Sequence, residues 1–99
     1  MKTKVYLVSH YNSDEGCGTF TNPICIYKNE IDAMVHVEEA TKIITEYYDK
    51  ISTNSADIKD EVEFQENISK YDGRGDLDYH PDYCGFNYES IDCFDKYEN

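Results

Sequence analysis

No tryptophan occurs in the 99 residues, arginine occurs once, at Arg74, and proline only twice. No stretch approaches the roughly 20 apolar residues that span a bilayer, so no membrane role is expected. The opening residues also lack the zones of a signal peptide, and the expected compartment is the cytoplasm. One arginine beside eight lysines argues against phosphate recognition through guanidinium forks. The longest basic feature, Lys2 with Lys4, falls short of the patch that direct binding to nucleic acid demands. Large aliphatic residues and phenylalanine are scarce too: Leu, Ile, Val and Phe together number 20, near the composition at which strongly charged chains stop folding.

Tyrosine and acid are abundant. Ten tyrosines supplement the thin core, since a half-buried ring contributes apolar area while its hydroxyl stays wet. The 21 acids outnumber 9 bases, giving a net charge of −12 on a chain long enough for one domain, residues 1–99. The imbalance is uneven: residues 1–50 carry 8 acids and 5 bases, whereas residues 51–99 carry 13 and 4.

Residues 4–11, with Val5, Tyr6, Leu7 and Val8, are rich in β-branched and aromatic side chains and predict a strand with Val5 and Leu7 facing the core. Residues 12–23 hold Gly16, Gly18, Asn22 and Pro23 and predict a long hairpin loop; Ile24, Cys25, Ile26 and Tyr27 predict a second strand. Asn29 is a good N-cap. After it Ala33, Val37, Ala40, Ile44, Tyr47 and Ile51 step by four and three, predicting an amphipathic helix over residues 30–50. Its polar face carries Glu38, Glu39, Lys42, Glu46 and Asp49. Residues 52–55 are a polar break, and residues 57–71 predict a second, less regular helix with Ile58, Val62, Ile68 and Tyr71 inward and Phe64 out of phase. Residues 72–85 predict a long loop of the kind that is either functional or disordered. Residues 86–94 alternate as a third strand, with Phe86, Tyr88 and Phe94 on one side and Ile91 and Cys93 on the other. The expected class is α+β: a small antiparallel sheet of about three strands, one long helix packed on one face, and a second helix.

No motif names a reaction, so the expectation is a non-enzymatic protein without cofactor, and the charge argues about partners instead. Asp57, Asp60, Glu61, Glu63 and Glu66 on the second helix, continued by Asp72, Asp76, Asp78 and Asp82, make an anionic surface. A helix rises 1.5 Å per residue and duplex DNA carries a charge every 1.7 Å or so, hence the two charge densities are of one order. Tyr79 and Tyr83 add rings of the kind that anchor interfaces; Tyr71 and Tyr88 lie near them. The competing reading is that acidity keeps a thin-cored protein soluble.

Residues 4–8, the polar hairpin, the strand at residues 24–27, the helix after Asn29 and the closing strand near Phe86 give a β-β-α…β pattern that resembles short uncharacterised proteins of phages and mobile elements. Residues with A/T-rich codons total 40 against 11 with G/C-rich ones, pointing to a low-GC bacterium or its phages. Size, acidity and coding bias together resemble phage-encoded anti-defence inhibitors, among them anti-CRISPR proteins and DNA mimics. The resemblance implies binding to a basic nucleic-acid-binding host protein, such as a CRISPR effector or restriction nuclease, and blocking it.

Two other readings stand beside it. The apolar stripe of the long helix, from Ala33 to Ile51, would let the chain self-associate. His10, Cys17, His80 and Cys84 supply zinc-type ligands, although Cys17 has no close partner in sequence. Cys25 and Cys93 read as small buried hydrophobes and His36 as a boundary residue. Asp72, Asp76 and Asp78 lack the ligand order of an EF-hand.

Overall fold

A computed structural model describes residues 2–14 and 18–94. Strands β1 (Lys2–Asp14) and β2 (Gly18–Tyr27) are followed by helices α1 (Glu30–Ser52) and α2 (Ile58–Asp72) and by strand β3 (Cys84–Phe94). The sheet order is β2-β1-β3 with both pairings antiparallel. α1 lies across one face of the sheet, α2 packs on α1, and the fold is α+β as expected from the sequence.

The hairpin is longer than its composition suggests. Residues 12–14 and 18–23 are strand, not loop, and Tyr11 pairs with Thr21, Asn12 with Phe20 and Ser13 with Thr19. Asparagine, serine and glycine signal turns, yet Thr19, Phe20 and Thr21 suit a pleated surface and carry the ladder outward. A register shift between Val8 and Ser9 leaves Ile24 as an extra residue in β2, and both Ile24 and Cys25 then pack against the core.

Which face of β1 is inward also differs from expectation. Val8 is 0% and His10 1% exposed, and Tyr6 packs against the same core, whereas Val5 and Leu7 alternate to the opposite face. Val5, Tyr6, Leu7 and Val8 are all apolar, so alternation within β1 cannot choose a face; its neighbours do. His10 pairs with Phe86 and Val8 with Tyr88, whose rings lie on the helix side.

α1 begins at the predicted cap, with the Asn29 side chain accepting from the Ile31 N–H at 2.9 Å and Glu30 and Asp32 in the first turn. Ala33, His36, Ala40 and Ile44 are its buried stripe, and the two alanines let its backbone approach the sheet closely. His36 is no boundary residue. The Tyr71 carbonyl can only accept, so the His36 Nε2–H donates to it at 2.7 Å, and Nδ1 accepts from the Tyr27 hydroxyl at 2.8 Å. One imidazole thus joins β2, α1 and the end of α2.

α2 opens with a capping box in which the Asp57 carboxylate accepts from the Asp60 N–H and the Asp60 carboxylate from the Asp57 N–H. Its inward residues are Phe64, Ile68 and Asp72, four apart. Ile58 and Val62, expected inside, are 80% and 48% exposed. Phe64 instead stacks on Tyr47, ring centroids 4.3 Å apart, with Tyr79 edge-on at 5.4 Å.

Residues 73–83 are irregular but tied at both ends. The His10 Nε2–H donates to the Asp78 carbonyl at 2.7 Å, the Ser13 N–H to the Tyr83 carbonyl at 2.7 Å, and the Cys84 N–H to the His80 carbonyl at 2.8 Å. At the loop's start the Asp72 carboxylate accepts from the N–H groups of Arg74 (2.8 Å) and Gly75 (3.0 Å) and from the Tyr79 hydroxyl. Gly75 has φ +78° and lies so close to α2 that an added Cβ would sit 2.9 Å from the Gln65 carbonyl oxygen. Only glycine meets both demands.

Candidate interaction surface

The carboxylates expected on one surface divide into four groups. Glu61, Glu63 and Glu66 are exposed along α2. Asp57 and Asp60 are engaged in the helix cap, and Asp60 also takes an ion pair from Lys50 at 3.1 Å. The Asp57 N–H and then Lys50 hold the Asp60 carboxyl below its ordinary value, and the same contact raises the Lys50 ammonium. Asp72 and Tyr79 are buried and bonded to each other, facing away from any partner.

The loop acids are exposed. Asp76 pairs with Arg74 at 2.9 Å, and Asp78 accepts from the His80 N–H at 3.1 Å. Tyr83 stacks flat on the His80 ring, centroids 4.9 Å apart, while Asp82 reaches that ring's other polar edge by its N–H at 3.2 Å. Tyr71 and Tyr88 are half-buried against the core.

Antiparallel packing of α1 and α2 adds acids from the polar face of α1 that were not expected in the partner-binding surface. Between the helices lies a cleft of about 330 Å³ whose wall carries Glu46 and Asp49 from α1 and Asp60 and Glu63 from α2, with Lys50 as the basic residue lining it. Its floor is Ile43, Tyr47 and Phe64. A second cleft of about 330 Å³ shares Tyr47 and Phe64 and is edged by Glu61, Asp76 and Asp78. Glu46 and Asp49 sit one turn apart on the polar face of α1, which was the available signal; that α2 would lie against that turn was not.

These clefts suit a cation with a flat or extended apolar part. Burial, then Glu61 and Asp60, raise the Tyr47 hydroxyl; burial, then Asp78, raise that of Tyr48. Both phenols therefore stay neutral, presenting ring faces and O–H donors beside carboxylates. An arginine or lysine side chain can meet carboxylate at its head and aromatic carbon along its stem.

The zinc-type set does not assemble among the described residues. His10 commits Nε2 to a carbonyl, His80 Nδ1 accepts from the Asp82 N–H, and Cys84 is enclosed, its thiol pushed up to about 11 by burial and then by Asp78. No three His, Cys, Asp or Glu side chains converge on one point among the described residues, and Cys17 lies outside them. Among the described cysteines Cys84 is the buried thiol; Cys93 and Cys25, both expected inside, are exposed and half-buried respectively. The α1 stripe offered for self-association is its sheet-facing side: Ala33, Ala40 and Ile44 are covered, while Ile51 at its end is exposed. No helix among the described residues is long and apolar enough to cross a membrane. Compared with protein-family models, curated proteins and solved structures, the chain matches none.

Proposed function

We propose that the protein acts by binding rather than catalysis, as a small acidic inhibitor that occupies the cationic nucleic-acid site of another protein. The observation that carries this reading is the acid-walled, aromatic-floored cleft between α1 and α2. Glu46, Asp49, Asp60 and Glu63 offer charge at helical spacing comparable with that of a phosphate backbone, and the half-buried Tyr47, held in place by the buried Phe64, supplies aromatic surface for an arginine stem. Acids of one sign also steer encounter with a basic partner, an attraction that salt weakens. Coding bias and size favour a phage origin in a low-GC bacterium, and the concrete target class is a CRISPR effector or restriction nuclease.

The test is competition for DNA. Duplex DNA bound to such an effector should be displaced at low salt, less so at high salt. The variant Glu46→Lys/Glu63→Lys changes two exposed residues outside the helix cap, so it should keep its circular dichroism and lose at least about tenfold in displacement, roughly 1.4 kcal/mol. A folded variant that displaces DNA as well as the parent overturns the proposal.

A further inference from the structure

The sheet has two faces, and the helices cover one. On the other lie the alternate residues of three strands, from Thr3 to Ser13 of β1, with Ile26 to Thr19 of β2 paired to them on one side and Cys93 to Gly85 of β3 on the other. Glu89 is the single Asp, Glu, Lys or Arg in that set, in a chain whose composition is 30% charged. Register brings its apolar residues together, Leu7 opposite Ile26 and Val5 opposite Ile91. Ile26 is 61% exposed, and Val5, Leu7 and Ile91 are half-buried.

We propose that this face is the contact between two copies of the chain, packed sheet on sheet with the acidic helices turned outward. Charge selects the occupant. A chain of net −12 repels its own copy over any surface that carries its acids, and this face is where two copies can meet with little like charge opposed. A basic partner, by contrast, finds few carboxylates here and many on the helical side. The pairing is self-complementary about a two-fold axis, the commonest arrangement of homodimers, with sheets at the usual spacing of about 10 Å.

Area sets the strength. Three strands about 4.8 Å apart, along a ladder of about ten residues at 3.3 Å, give a flat footprint on the order of 500 Å² per copy. That is below the roughly 800 Å² per partner of a standard interface, so the dimer forms reversibly with concentration. Its dependence on salt has the opposite sign to that of the proposed inhibition: screening the mutual repulsion strengthens it.

Sedimentation velocity from micromolar to millimolar protein, at low and high salt, tests the proposal. The expected result is a dimer fraction that grows with both. Ile26→Glu on β2 and Ile91→Glu on β3 should each raise the dimer Kd about tenfold or more, whereas Ile31→Glu, which alters a 64% exposed apolar residue at the start of α1, should leave it unchanged. A chain that stays monomeric at millimolar concentration in high salt overturns it. So does a dimer that Ile31→Glu dissociates, or one that yields to Ile26→Glu but not to Ile91→Glu, which would be pairing along the β2 edge. Circular dichroism confirms that each variant is folded. Displacement of DNA by monomeric Ile26→Glu reports on the inhibitor reading separately.

Discussion

Asp72 sits at the last turn of α2, where the helix dipole opposes a carboxylate, and it is nevertheless buried. Three donors offset both costs: two backbone N–H groups from Arg74 and Gly75 and the Tyr79 hydroxyl. Burial, then Asp72 itself, raise the Tyr79 phenol, which stays a donor across the physiological range. Tyr79→Phe keeps the ring against Phe64 and His10 but leaves the carboxylate one donor short, so it should lower stability by about 1.5–3 kcal/mol, read as a lower urea midpoint. An unshifted midpoint would mean that water replaces the hydroxyl. Part of this was legible: Asp72 followed by Gly73 and Gly75 spells a local turn in which an aspartate accepts from the amides just ahead of it. Tyr79, seven residues on, was not, because the bond closes only when the loop folds back over α2. Counting Asp72 and Tyr79 among outward groups follows from reading acids and tyrosines by type alone.

At the scale of the element, the two helices were legible in different measure. α1 announces itself through Asn29 and a stripe of which Ala33, Ala40 and Ile44 are buried and Val37 and Tyr47 half-buried, while Ile51 at its end is exposed and the buried His36 was not counted in it. α2 was placed correctly from the spacing of its apolar residues, yet its stripe was ambiguous: Ile58 and Val62 are four apart, and so are Phe64 and Ile68. Two phases compete, and the choice rests with Tyr47 and Tyr79, which the sequence does not bring near. The strand β1 posed the same problem, being apolar on both faces. The acid-walled cleft was illegible for a related reason, since half its carboxylates belong to α1 and half to α2. The phase of α2 makes a prediction that its composition does not: Phe64→Ala should cost about 3–5 kcal/mol, and Val62→Ala no more than about 0.5 kcal/mol, in denaturant titrations of equal slope. Equal losses would place the wrong side of α2 inward.

Across the whole molecule, length dominates shape. The longest dimension is 60 Å against 30 and 19 Å, with a radius of gyration of 16.0 Å where about 13 Å is usual for this size. Spreading 21 acids along such a body reduces their mutual repulsion without abolishing it. Added sodium chloride should therefore raise the melting temperature by several degrees, since about 1 kcal/mol shifts a domain of this size by 4–8 °C. A melting temperature that ignores salt would show that the acids are already far enough apart. The order β2-β1-β3 has a further consequence in time. β1 occupies the centre of the sheet, but its partner on one side lies more than seventy residues later in the chain, Cys84 against Asn12. During synthesis the first hairpin emerges from the ribosome with one ladder closed and the other bare, and α1 forms before the sheet it must cover is complete. Such distant pairing folds slowly, and until β3 arrives the nascent hairpin is a sticky edge that a chaperone would have reason to hold.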